Sequence, residues 1–107
     1  MIKWLQEWFY QLCDREWEHE NSILIETIDN PGWSIKIDLN NVNFSISSQK
    51  WKIFELSNEN WVGYKVENNI FFAAGDPLKL ETLIIIFKVI IENGIVEDSF
   101  IFNIMES

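Results

Sequence analysis

Asp14, Glu16, Glu18, His19 and Glu20 fall within seven residues. Carboxylates beside an imidazole can ligate a metal or run general acid–base chemistry. The spacing supports neither use. No second histidine completes a His-Glu-x-x-His motif, and no Asp/Asn-rich calcium loop ends in a bidentate glutamate. On an extended chain Glu16, Glu18 and Glu20 share one face and His19 points away, whereas on a helix Glu16 and Glu20 align. Either way the cluster reads as a solvated acidic face or as a surface patch for a partner. Cys13 lies next to it, and a thiol with His19 as base could be a nucleophile. Nothing else completes a triad, and the acidic neighbours would raise the thiol pKa, so Cys13 reads instead as a small buried side chain closing a helix. The 4 glycines, Gly32, Gly63, Gly75 and Gly94, are isolated and build no phosphate-cradling loop. No catalytic, cofactor-binding or metal-ligating set is expected. The rival reading is a small hydrolase or metal-dependent enzyme using Cys13, His19 and the nearby carboxylates.

These residues sit between a helix and a hairpin. Trp4, Leu5, Trp8, Phe9 and Leu12 form one helical stripe, which predicts a helix from Ile2 to about Cys13 with its aromatics in the core. Ile23 to about Ile28 reads as a strand, followed by Asn30-Pro31-Gly32, which can close a type II turn with Pro31 at its second position and Gly32 supplying a positive φ. Trp33, Ile35, Ile37 and Leu39 then alternate with Ser34, Lys36, Asp38 and Asn40, a strand with one buried and one wet face. Between Asn40 and Lys50 only Val42, Phe44 and Ile46 alternate, leaving strand and loop both open. Trp51 to Leu56, Trp61 to Val66 and Ile70 to Ala74 are three further strands of an antiparallel meander. Asp76 as N-cap and Pro77 at the first helical position start a helix that carries Leu80, Leu83, Ile84, Phe87, Ile90 and Ile91 and stops at Asn93-Gly94. The tail from Ile95 is too apolar to hang free and is expected to add a strand or cover an edge. The fold class is α+β: an amino-terminal helix, an antiparallel sheet of about five strands in meander order, and a long helix on one sheet face.

The chain has 107 residues, 48% of them hydrophobic, which fits one domain spanning 1–107 with enough apolar surface for a core. Its net charge of −9, with one arginine and no basic run, argues against nucleic acid and favours a basic protein partner. One cysteine excludes an internal disulfide and suits a reducing compartment, so a cytoplasmic protein is expected. The apolar run Leu83 to Phe87, flanked by Lys79, Glu81, Lys88 and Glu92, cannot supply the ~20 residues of a membrane span.

Several blocks are more specific. Trp4-Leu5-x-x-Trp8-Phe9 with Cys13-Asp14, Trp17-Glu18-His19, and Thr27-x-Asp29-Asn30-Pro31-Gly32-Trp33 with Ile37-Asp38-Leu39 are joined by Trp61 and by Ala74-Gly75-Asp76-Pro77-Leu78-x-Leu80. With this spacing the stretch from Trp4 to Phe87 resembles the immunity protein 53 family of bacterial polymorphic toxin systems. It departs from that pattern at Asn60, where an acidic residue is expected, and in a longer apolar tail. The resemblance implies a protein that neutralises a cognate toxin by binding it, without catalysis or cofactor. An acidic domain suits the occlusion of a basic site, and the expected contact residues are Glu16, Glu18, Glu20, Asp29 and Asp38, with Trp33. Trp17, His19, Asn30, Pro31, Gly32 and Trp33 also have a structural reading, in which Trp17 and His19 pin the first helix to the hairpin through buried hydrogen bonds. A homodimeric assembly module built on the apolar tail is the remaining alternative.

Overall fold

A computed structural model describes residues 1–40 and 46–106. The elements are α1 (Ile2–Leu12), α2 (Trp17–Glu20), β1 (Ile23–Ile28), β2 (Gly32–Asp38), β3 (Gln49–Ser57), β4 (Asn60–Glu67), β5 (Ile70–Gly75), α3 (Leu80–Asn93) and α4 (Asp98–Glu106). All strand pairs are antiparallel, in an α+β fold. Val42 and Phe44, the heart of the open strand-or-loop question, lie outside the described residues.

The sheet runs β1-β2-β5-β4-β3 rather than in simple meander order. β3, β4 and β5 do form consecutive hairpins, but β5 returns to lie beside β2, giving the last four strands a Greek-key order. Burial explains the placement. Phe71, Ala73 and Ala74 of β5 are all buried, so this strand is apolar on both faces and belongs at the centre, flanked by β2 and β4. On the helix-covered face Ile35, Ile37, Val62, Tyr64 and Phe71 meet Leu83, Ile84, Phe87 and Ile90 of α3 in one core. Trp8 of α1 reaches the same core, its ring 4.9 Å from that of Phe87 at 84°. Burying Leu5 and Trp8 holds α1 in place at roughly 1.5–3 kcal/mol each. The opposite face is open, with Leu24, Trp51 and Ile53 exposed by 47%, 45% and 53%.

Two local expectations are corrected and a third is narrowed. The Asn30-Pro31 bond is cis, and Gly32 does not take a positive φ. It is the first residue of β2 and is required for another reason: a Cβ there would overlap the carbonyl oxygen of Gly75 on the neighbouring strand. Asp76 does not cap α3, which starts four residues later at Leu80. Its Oδ1 accepts the Leu78 N–H at 2.9 Å, closing a turn, while Oδ2 accepts the Trp61 N–H of β4 at 2.9 Å and meets Lys79 Nζ at 3.1 Å. Competition from a strand amide and a lysine explains why the helix begins late. The tail adds no strand but does cover a sheet edge, since Lys52 of edge strand β3 meets Asp98 at 2.7 Å. It folds as α4, burying Ile101 and Met105, which lie one helical turn apart, and setting Phe102 against Phe54 with ring centroids 5.3 Å apart. Gly94 does end α3 in the left-handed conformation, at φ 85°.

The two sheet edges differ. β3 breaks register twice and carries Lys50 and Lys52, whereas β1 pairs with β2 without interruption and contains no lysine, proline or bulge. Bulges and lysines are the usual guards of an exposed strand edge. β1 has none.

Candidate functional site

The acidic cluster is organised by the turn between α1 and α2. Arg15 adopts a left-handed φ of 78°, which reverses the chain sharply. Asp14 Oδ1 then accepts the N–H groups of Glu16 at 2.9 Å and Trp17 at 2.8 Å, and Glu18 reaches back to accept those of Asp14 at 3.1 Å and Arg15 at 2.9 Å. The Trp17 and Glu16 amides hold the Asp14 carboxyl below the ordinary aspartate range. This exchange fixes Trp17, which is 4% exposed and donates Nε1–H to the Asn40 carbonyl at 2.8 Å. Its indole packs edge-on against Trp8, with centroids 6.3 Å apart. Asn21, also buried, donates to the Trp17 carbonyl at 3.1 Å and accepts from Asn40 at 3.1 Å. Trp17 and Asn21 thus lock α2 onto the end of β2.

That lock leaves Glu16, His19 and Glu20 exposed around a hollow of about 830 Å³. Glu18 faces inward as a backbone acceptor. His19 does not pin α1 to the hairpin: it is exposed, and its imidazole makes no hydrogen bond among the described residues. Asp38 belongs to the same end of the sheet, since its carboxylate accepts the Ser22 N–H at 2.8 Å. Asp29 and Trp33 do not. Ile23 pairs with Ile37 at one end of the hairpin and Ile28 with Gly32 at the other, which puts about 17 Å of strand, at ~3.3 Å per residue, between Asp29 and the end of the sheet that carries the cluster. Trp33 is half-buried there and donates Nε1–H to the Pro77 carbonyl at 3.0 Å, tying the hairpin to the turn before α3. Asn30 and Pro31 line a separate cleft of about 400 Å³ with Trp61, Asp76 and Leu78.

Cys13 is exposed rather than packed, with Sγ 3.3 Å from the Phe9 carbonyl. Partial desolvation and the Glu18 and Asp14 carboxylates push its thiol pKa up, the wrong direction for a nucleophile. Among the described residues no group of three or more His, Cys, Asp or Glu is arranged to hold a metal ion. Nor, among the described residues, is any helix long and apolar enough to cross a membrane. What the cluster presents is carboxylates in water, suited to contact with cationic groups.

Beside it lies a second feature, a groove of about 460 Å³ between α1 and β1. Ile2, Leu5 and Phe9 form one wall, Ile23 and Ile25 the other, and Glu18 closes the end nearest the acidic cluster.

The described architecture coincides with a known sequence family. A profile of the family described as Immunity protein 53 matches residues 2–92, from α1 through nearly all of α3. The chain belongs to the immunity protein 53 family. Membership gives it an immunity role. No curated protein and no solved structure matches it. In this immunity protein the matched region takes in the whole acidic cluster, the hairpin and the α1–β1 groove, while α4 lies beyond it. The groove was not anticipated from sequence, although a signal for it exists. The edge strand Ile-Leu-Ile-Glu-Thr-Ile is apolar at four of its six positions, more than a strand with a free edge needs. The second feature the sequence did not reveal is the set of partners that Asp76 takes, which ties β4 to the turn before α3.

Proposed function

We propose that this protein confers immunity by binding its cognate toxin directly, presenting the acidic end around α2 to a basic surface of that toxin. The observation that carries the reading is the family match across residues 2–92. Charge agrees with it: a net −9 attracts a cationic partner and raises the encounter rate, and Glu16 and Glu20 stand free to meet it. Asp38 and Glu18 contribute field from partly buried positions at the same end. Asp29 and Trp33 lie too far away to join one compact contact and take part only if the toxin spans the hairpin. Affinity beyond steering requires apolar anchors, which carboxylates do not supply. Binding takes place in the cytoplasm, where the single thiol stays reduced.

The test is a pull-down with the tagged protein from lysate of its own host, washed at high salt, with mass spectrometry of what remains. Salt removes complexes held by surface charge alone. Recovery of a larger protein or its carboxy-terminal fragment, whose toxicity this chain abolishes on co-expression, is expected. Recovery of nothing while that toxin is demonstrably expressed refutes direct binding.

A further inference from the structure

The geometry points to the free edge of β1 and the α1–β1 groove as a docking site for one extended, basic and apolar segment of the toxin, added to the sheet as a sixth strand. The inference rests on the toxin-binding reading for the identity of its occupant.

Backbone geometry sets the first requirement. The Asp38 N–H donates to the Ser22 carbonyl at 3.1 Å, so position 22 faces 38 as a hydrogen-bonded pair. Antiparallel ladders alternate. Leu24, Glu26 and Ile28 therefore spend their amides and carbonyls on β2, and those of Ile23, Ile25 and Thr27 point outward from the sheet. Among the described residues no hydrogen bond occupies those outward groups. They form a row of donors and acceptors that an extended backbone can satisfy.

The groove sets the second requirement. The side chains of Ile23 and Ile25 face the helix layer, where they pack against the core. An added strand would send alternate side chains into the same layer, under Ile2 and Phe9, which are 52% and 37% exposed. Those side chains must be apolar. Charge sets the third. Glu18 closes the groove, Glu26 is exposed on β1 itself, and Glu16 and Glu20 stand on the helix that leads into β1. The positions between the apolar ones project to the open face beside Glu26, where a lysine or arginine is matched, and a further cation is matched where the segment reaches the Glu18 end of the groove. A second copy of this chain is the poorer occupant, because pairing β1 with β1 brings two chains of net charge −9 together and places the α2 carboxylates of each beside the other's acidic turn at Asp29. The contrast between the edges agrees: β3 is guarded by breaks in register and lysines, and β1 is left open.

Thr27→Pro tests the idea cleanly. Thr27 is exposed and its N–H faces outward, so proline there removes one docking donor without touching the β1–β2 ladder. Random linear peptides displayed on phage are panned against the full chain, then against Thr27→Pro and Thr27→Ala. Enrichment of sequences that alternate apolar residues with lysine or arginine is expected, with binding about tenfold weaker to Thr27→Pro and unchanged for Thr27→Ala. Should Thr27→Pro not fold, Ile2→Arg replaces an exposed groove residue with a cation and gives the same loss with an unchanged melting temperature. No enrichment, or enriched peptides that bind all variants alike, overturns the proposal. So does self-association in light scattering that Thr27→Pro abolishes, since the occupant is then a second copy. A toxin captured equally by the wild-type and Thr27→Pro chains refutes the edge while leaving neutralisation standing. Selected strand peptides, with no toxin captured while it is demonstrably expressed, refute direct binding and leave the edge.

Discussion

Removal of the Asp76 carboxylate is the most demanding test of how this sheet is held. Asp76 is 1% exposed and accepts from two backbone amides and one ammonium: Trp61 N–H at 2.9 Å, Leu78 N–H at 2.9 Å and Lys79 Nζ at 3.1 Å. Asp76→Ala strands all three donors. An orphaned buried donor costs about 1–3 kcal/mol, and breaking a buried ion pair from one side about 3–5 kcal/mol. These costs overlap at one site that water can partly enter, so about 4 kcal/mol is expected for Asp76→Ala. At roughly 4 °C per kcal/mol for a domain of this size, the melting temperature falls by about 15 °C. Asp76→Asn keeps one acceptor oxygen and loses about half as much. The pH dependence has a definite sign. Burial alone would raise the Asp76 pKa, but the Leu78 and Trp61 amides and the Lys79 ammonium outweigh it, so the folded value lies below the ordinary 3.8. A carboxyl depressed on folding stabilises fully above its unfolded pKa and loses that contribution as pH falls through the folded one. The gap between wild type and Asp76→Asn is therefore widest at neutral pH and narrows below about pH 4. Urea unfolding followed by tryptophan fluorescence measures it. A loss below about 1 kcal/mol for Asp76→Ala, or a gap unchanged down to about pH 3, would show that the three donors find other partners and the reasoning is wrong.

Other expectations are equally specific. Gly32→Ala drives a Cβ into the Gly75 backbone oxygen and should cost about 3 kcal/mol or more, whereas Gly63→Ala meets the ring of Trp51, 45% exposed and free to swing away, and should cost under about 1 kcal/mol in the same urea assay. Trp17→Phe deletes the Nε1–H bond to the Asn40 carbonyl just past β2 and should destabilise by about 0.5–1.5 kcal/mol, while His19→Ala, exposed and unbonded, should stay within about 0.5 kcal/mol. Cys13 should react with a disulfide reagent more slowly than a free thiol at pH 8 despite its exposure, and Glu18→Gln should speed it, because fewer carboxylates then disfavour the thiolate. Deleting α4 exposes the sites filled by Ile101 and Met105 and should cost about 3–6 kcal/mol, read as a loss of cooperative thermal unfolding.

Much of this fold was legible because its signals are local. The stripe from Trp4 to Leu12, the alternation of Ile35, Ile37 and Leu39, and the stop at Gly94 each follow from period or backbone freedom within a few residues. What escaped depends on partners far along the chain. Asp76-Pro77 has the form of a helix start, but the carboxylate is spent on an amide 15 residues upstream, and no local rule reveals that. The central position of β5 follows from burial on both faces, and Phe71 to Ala74 does carry a two-sided apolar run without alternation. The tail carries helical spacing in Ile101 and Met105, overshadowed by a dense run of β-formers. At the candidate site, the carboxylates were visible as a cluster, but their division of labour was not. Glu18 turns inward as an acceptor while Glu16 and Glu20 stay free, a distinction set by the left-handed Arg15, a residue type that seldom adopts that conformation.

The unequal edges of the sheet also bear on stoichiometry. A sheet extensible at both sides is a monomer for a fibre, each added strand offering a fresh template. Here one side is closed to growth by the irregular, lysine-bearing β3, and only β1 can accept a neighbour. Addition there is a terminating event. Strand-by-strand association of this chain with itself therefore ends at a pair, because each copy brings one open edge and one guarded one.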